Sequence, residues 1–252
     1  MNPGFHVLAL SGLPLFSPGM SVAREIASVA HIQAGDIVVV AQKIVSKAEG
    51  RAVRLDSVSP SPHAIEMAAQ TRRPAALMQL TLDESSELMR VSPQLVIVRH
   101  KTGHVAANAG IDASNVEGGD AGVVLLWPRD PDASARAIRG EIKSITGVAP
   151  AVLIADSLGR AWRLGTVGAA IGCAGVSALE DRRGGVDLFG RTLQATWVAV
   201  ADAIAAAAVL AMGEGAEGVP AVIVRGLASY VSDEDGPGAA SVLRPLHEDL
   251  FR

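Results

Sequence analysis

The chain has 252 residues, ample for a sizeable core, and 49% of them are apolar, so composition predicts a folded protein. A formal charge of −4, no long basic run and an aromatic content of 3% argue against a nucleic-acid groove with cationic tracks and stacking platforms; a small-molecule partner fits better. The single cysteine, Cys173, has no internal partner for a disulfide and lies in a Gly/Ala-rich segment, which fits a small core residue in a reducing cytoplasm.

At the N-terminus, MNPGFHVLALSGLPLF lacks a basic region and its apolar run breaks at Gly12 and Pro14, so it does not read as a secretory signal. The longest apolar run elsewhere, residues 203–212, falls well short of the roughly 20 residues that span a bilayer, and no membrane partner is expected. Residues 5–10 read as a first strand ended by the turn Ser11-Gly12-Leu13-Pro14, and residues 20–30 as a helix carrying Val22, Ile26 and Val29 on one stripe. DIVVVA (36–41) reads as a strand buried on both faces, leading into the turn-like QKIVSKAEGR (42–51). Its Lys43 and Lys47 either reach a phosphate or form part of a solvated surface turn. Residues 61–92 read as helical with a break near Arg72-Arg73-Pro74; their charges form a solvated face, and no chemistry is assigned there.

Residues 94–99 and 104–108 read as strands flanking the turn HKTGH; two histidines four apart suit a metal on a helix, but on a hairpin turn the spacing carries no such meaning. NAGIDASNVE (108–117) gathers small, flexible and polar residues straight after a strand. Asp112 offers a hard oxygen ligand and Asn115 a base- or ribose-reading amide, with an ordinary Asx-turn loop as the alternative. A short strand (123–127) ends at Pro128, and residues 130–147 form an amphipathic helix with Asp132 or Ser134 as cap, Ala135, Ile138, Ile142 and Ile145 on one stripe, and Gly147 at its end.

The chain is organised around AVLIADSLGRAWRLGTVGAAIGC (151–173). Residues 151–155 predict a strand buried on both faces that stops at Asp156. The following loop, with Ser157, Gly159, Arg160 and Arg163, reads either as a metal and phosphate site or as a capped surface turn. RRGGVDLFGR (182–191) is a turn-rich connector, and residues 194–212 read as a helix apolar nearly all round except at Asp202, buried in the core or at a subunit interface. GEGAEG (213–218) has the GxGxxG spacing of a dinucleotide fingerprint, but the helix precedes it and a strand (221–225) follows. The negative helix end then faces the loop, and a Rossmann reading is rejected; what remains is a close-approach backbone carrying Glu214 and Glu217. The tail, 228–252, reads as surface or loosely held. With no repeat and no linker, the fold class is α+β: a mixed sheet with interwoven helices, its site assembled from loops at one sheet edge.

QKIVSKAEGR, NAGIDASN, ADSLGRAWRLGTVGAAIG, DLFGR and MGEGAEGVPAVIVRG follow one another between residues 10 and 227, and together they resemble the coenzyme F420-0:L-glutamate ligase family. The resemblance implies an amide-forming ligase that uses GTP and divalent Mn or Mg to add γ-linked L-glutamate to coenzyme F420-0 through an acyl phosphate, acting as an intertwined homodimer. By position it implies Asp112, Asp156 and Ser157 as metal ligands. Around the nucleotide it places Ser11, Gly12, Leu13, Pro14, Gln42, Lys43, Lys47, Asn115 and the run Leu210, Ala211, Met212, Gly213, Glu214, Gly215, Ala216, Glu217. Asp156, Arg160 and Arg163 are expected to be catalytic, Arg160 or Arg163 meeting a substrate carboxylate or phosphate. Residues 1–252 are expected to form one ligase unit without the flavin-dependent domain fused to it in some relatives. Without the resemblance, aspartates, a hydroxyl and arginines suit a metal-dependent phosphoryl hydrolase equally well, and a non-catalytic coenzyme-binding protein is a third class.

Overall fold

The computed structural model describes residues 4–249. In chain order its elements are β1 (His6–Ala9), α1 (Val22–Val29), β2 (Ile37–Ala41), α2 (Gln42–Ala48), β3 (Ala52–Arg54), α3 (Pro62–Thr71), α4 (Ala75–Asp83), β4 (Ser85–Ser92), β5 (Leu95–His100), β6 (Val105–Ala107), β7 (Val123–Leu125), α5 (Pro131–Thr146), β8 (Ala151–Arg160), β9 (Arg163–Ala174), β10 (Leu179–Asp181), β11 (Trp197–Ala199), α6 (Val200–Met212) and β12 (Ala221–Arg225).

The main sheet runs β1-β12-β2-β8-β9. It is mixed: β2 and β8 are parallel, and the other pairings are antiparallel. The unbroken apolar runs of β2, β8 and β12 follow from burial on both faces. Val38, Val40, Val152, Ile154 and Ile223 pack with α1 and α5 residues such as Ile26, Ile138 and Ile142 on one face. Ile37, Val39, Leu153, Val222 and Val224 pack with the alanine-rich side of α6 on the other. Between the pairs Ile154–Gly172 and Ala155–Ala170 the register slips by one residue, so β9 carries a bulge at Ile171. Gly172 then abuts the first turn of α5, where a Cβ would collide with the Pro131 backbone. A second core, with Met67, Met78, Val96, Val98 and Leu126, joins α3 and α4 to the antiparallel sheet β4-β5-β6 and to the β3–β7 pair.

Several boundaries depart from the sequence expectations. Residues 42–48 form the helix α2 rather than a turn, because Ile44 and Val45 are drawn into the core beside β2. Residues 85–92, expected to be helical, form strand β4: pairing with the apolar β5 overrides the helix propensity of Glu87, Leu88 and Met89. The central strand does not stop at Asp156; β8 continues to Arg160 because β9 folds back on it, so the expected loop is the outer half of a hairpin. Asp130, not Asp132 or Ser134, caps α5 through the Ala133 N–H, 2.9 Å away. Asp132 instead accepts from the Cys173 and Ala239 N–H groups, each at 2.8 Å. Helix α6 begins at Val200 because residues 197–199 pair with β10 as a strand.

The tail is tied down more firmly than its composition implies. Buried Arg139 of α5 donates to the carbonyls of Ser232 (2.7 Å) and Asp233 (3.0 Å) and to the Asp235 carboxylate (2.7 Å). Residues 250–252 of the expected loose tail lie outside the described residues. Among the described residues no helix is long and apolar enough to cross a membrane.

Candidate functional site

The strand directions gather the site. Because β2 and β8 are parallel, their C-terminal ends lie side by side, the position at which α/β sheets open a ligand crevice. Strand β12 is antiparallel to β2, so the segment entering it reaches the same edge, and Ala41 N–H donates to the Pro220 carbonyl at 2.8 Å. The end of β1 is held there too, Leu10 N–H donating to the Ala221 carbonyl at 3.0 Å. Four segments thus converge: the chain after β1, the start of α2, the middle of β8, and residues 213–220. Loop 112–117 closes the opposite side, anchored by antiparallel hydrogen bonds between Asp112 and Leu125 (2.8 and 3.2 Å). Between them lies a cavity of about 1260 Å³.

Most residues singled out in the sequence line this cavity: Leu13, Pro14, Gln42, Lys43, Lys47, Asp112, Asn115, Asp156, Ser157 and the run from Met212 to Glu217. Ser11, Gly12, Leu210 and Ala211 do not, and Leu210 points to solvent. Arg160 and Arg163 also lie outside it. They face each other across the exposed tip of the β8–β9 hairpin, where Arg160 donates to the Gly165 carbonyl at 3.2 Å. Pairing beyond Ala155 carries them away from Asp156.

The cations and carboxylates inside the cavity are interlocked. Lys43 and Lys47, one helical turn apart, share a face of α2. Lys43 Nζ donates to Asp112 Oδ2 at 2.6 Å and to the Ser114 hydroxyl and carbonyl at 2.5 and 3.0 Å. Lys47 Nζ donates to the Asn115 carbonyl at 2.6 Å, and the Asn115 amide donates to the Gly215 carbonyl at 3.0 Å. Burial, reinforced by the charge of Lys43, lowers the Lys47 pKa. For Asp112, burial pushes upward, but the Lys43 and Ser114 hydrogen bonds outweigh it and hold the carboxyl below its ordinary value.

Asp156 stands deeper. Burial raises its pKa from 3.8 to about 6, against the downward pull of N–H groups from Trp127 and Ser157. Those groups lie 2.7 Å from Oδ2 and 2.9 Å from Oδ1, respectively. The Ser157 hydroxyl donates to Glu214 Oε1 at 2.6 Å, linking β8 to the loop after α6. Trp127, Ser114 and Thr166 were not singled out from the sequence, although Ser114 and Thr166 line the cavity. The Trp127 to Asp156 bond spans 29 positions, and no local pattern announces it.

Among the described residues no three His, Cys, Asp or Glu side chains cluster closely enough to hold a metal ion by themselves. Among the oxygen donors lining the cavity are Asp112, Asp156 and the Ser157 hydroxyl, with Lys43 against Asp112. Such a set suits a hard divalent cation that takes one or two carboxylates from the protein and further oxygens from substrate phosphates and water.

Residues 12–226 match the F420-0:gamma-glutamyl ligase family. The chain is similar to the coenzyme F420:L-glutamate ligase of Archaeoglobus fulgidus, with 48% identity over 98% of this chain and 96% of the relative. It is 44% identical to that of Methanothermobacter thermautotrophicus over 99% of both chains. The relative of the same name from Methanopyrus kandleri is 41% identical, again over 99% of both.

Proposed function

The chain belongs to the F420-0:gamma-glutamyl ligase family, and from that premise we propose that it is a cytoplasmic ligase adding γ-linked L-glutamate to coenzyme F420-0 at the expense of GTP. The observation that carries the assignment onto this chain is the convergence of lysines, carboxylates and the 213–218 backbone on one large cavity at the ends of the parallel strands.

In the proposed reaction a terminal carboxylate oxygen of F420-0 attacks the γ-phosphorus of GTP and GDP leaves. The glutamate amine then attacks the resulting acyl phosphate, giving up a proton and expelling inorganic phosphate. Lys47 and Lys43 meet the phosphate oxygens as point charges. Residues Leu13, Pro14 and Gln42, the Asn115 amide and the backbone from Met212 to Glu217 enclose the nucleotide. Asp112, Asp156 and the Ser157 hydroxyl would hold Mn or Mg, which neutralises charge on the transferring phosphoryl group when bound. Glu214, which now takes the Ser157 proton in a hydrogen bond, keeps that hydroxyl directed toward the loop.

The same reading includes a homodimer. The outer part of the β8–β9 hairpin extends beyond its pairing with β2 and carries Leu164, fully exposed in one chain. Leu188 and Phe189 of the connector and Leu210 of α6 are 99%, 83% and 87% exposed. Large apolar side chains at such exposure fit a partner surface. Arg160 and Arg163, on the same hairpin, would act on substrate only where a second copy receives the arm.

Mass spectrometry of F420-0 incubated with purified protein, GTP, Mn²⁺ and L-glutamate, each left out in turn, tests the proposal. The expected result is a mass gain of one or more glutamyl units that requires every component. GTP hydrolysis without any mass gain would replace the ligase by a phosphoryl hydrolase.

A further inference from the structure

Trp127 makes a contact that its place behind the cavity does not by itself require. Its ring is fully buried at 0% exposure, and its indole N–H is aimed at Asp156 Oδ2, 2.7 Å away. With the Ser157 N–H on Oδ1 at 2.9 Å, each carboxylate oxygen is anchored by one donor, which fixes the plane of the group.

The indole is itself held from all sides. Gly110 adjoins it so closely that a Cβ there would come within 2.2 Å of its Nε1 and Cε2. The His100 ring lies 4.8 Å from it between centroids, tilted, and the His104 ring meets it edge-on at 5.9 Å. Both histidines turn their Nδ1 atoms to the Thr102 hydroxyl, each at 2.9 Å. Arg51 Nε donates to the Trp127 carbonyl at 2.8 Å, and the same guanidinium is paired with Glu84 at 2.5 Å. A donor on so rigid a mount sets the orientation of whatever accepts from it.

We infer that Trp127 is a positioning residue for the cation: its N–H fixes the Asp156 carboxylate so that the remaining lone pairs face the cavity. The inference rests on the reading of Asp156 as a cation ligand given above. Ring packing alone would make the shape of the side chain important and the N–H irrelevant, and that difference is measurable.

The test is Mn²⁺ binding, followed by the electron paramagnetic resonance signal of the free ion in saturating GDP. Four proteins are compared: wild type, Asp156→Asn, Trp127→Phe, and a protein with benzothienylalanine at position 127, in which sulfur replaces the indole N–H while the ring shape is kept. The last variant decides the matter if Trp127→Phe fails to fold. Loss of the N–H is expected to weaken Mn²⁺ binding about tenfold, the usual size of an effect exerted through a ligand's hydrogen-bond partner. In the ligase assay the KM for Mn²⁺ should rise by the same factor, with kcat at saturating Mn²⁺ nearly unchanged. Wild-type Mn²⁺ affinity in the benzothienylalanine protein overturns the inference while leaving the ligand reading intact. If Asp156→Asn binds Mn²⁺ as tightly as wild type, the ligand reading falls, and this inference with it.

Discussion

Two N–H groups stabilise ionised Asp156, yet its pKa rises to about 6, because burial outweighs them. An acid with a raised folded-state pKa adds stability that is complete below its unfolded value, near 3.8, and is lost as pH climbs through the folded value. The gap amounts to roughly 3 kcal/mol. In chelator, wild-type stability from urea unfolding should therefore fall by about that much, relative to Asp156→Asn, between about pH 4 and pH 6.5. Parallel pH profiles for the two proteins would rule out the burial argument. At this scale much of the site was legible: Asp156 and Ser157 end an apolar run, Asp112 and Asn115 sit in the polar stretch after a strand, and all line the cavity. Arg160 and Arg163 had the right chemistry, but strand pairing decided their location. Trp127 gave no signal, because its partner is remote in sequence.

Asp132 shows how the elements are joined. From the first turn of α5 its Oδ1 accepts the N–H groups of Cys173 in β9 and of Ala239 in the tail, both of which are fully buried residues. Asp132→Ala would leave two buried donors without acceptors and should cost about 3 kcal/mol of unfolding free energy. Asp132→Asn keeps the acceptor oxygen and should cost far less. Equal losses in urea denaturation would mean that the charge, not the acceptor, matters. Strands buried on both faces and the amphipathic α5 could be read directly, since burial writes itself into period and composition. The helix α2, strand β4 and the outer half of β8 could not, because each is decided by what it packs or pairs with rather than by its own residues: the main core, β5 and β9 respectively. The tail misled for the same reason, its acid- and glycine-rich composition concealing the Arg139 clamp.

For the whole molecule, the exposed arm and connector make the proposed dimer testable. Replacing Leu164 and Leu188 by Asp should remove at least about 3 kcal/mol of apolar burial, raising the dimer dissociation constant roughly 100-fold or more. Light scattering after size exclusion should then show a monomer where wild type shows a dimer; a monomeric wild type, or a variant that remains dimeric, would locate the interface elsewhere or abolish it. The order of strands around the sheet, which no segment encodes alone, brought the separate loops to one edge. The lysine contacts across that edge carry a last implication. Lys43 and Lys47 hold Asp112, Ser114 and Asn115, and Asn115 in turn holds Gly215. In the proposed reaction, a phosphate that takes the two ammonium groups would therefore enter by exchange, releasing side-chain and carbonyl oxygens rather than water alone. On the proposed reading, loading the cavity and loosening its rim would be a single event: the 112–117 loop would give up its lysine contacts while its backbone bonds to Leu125 keep it in place.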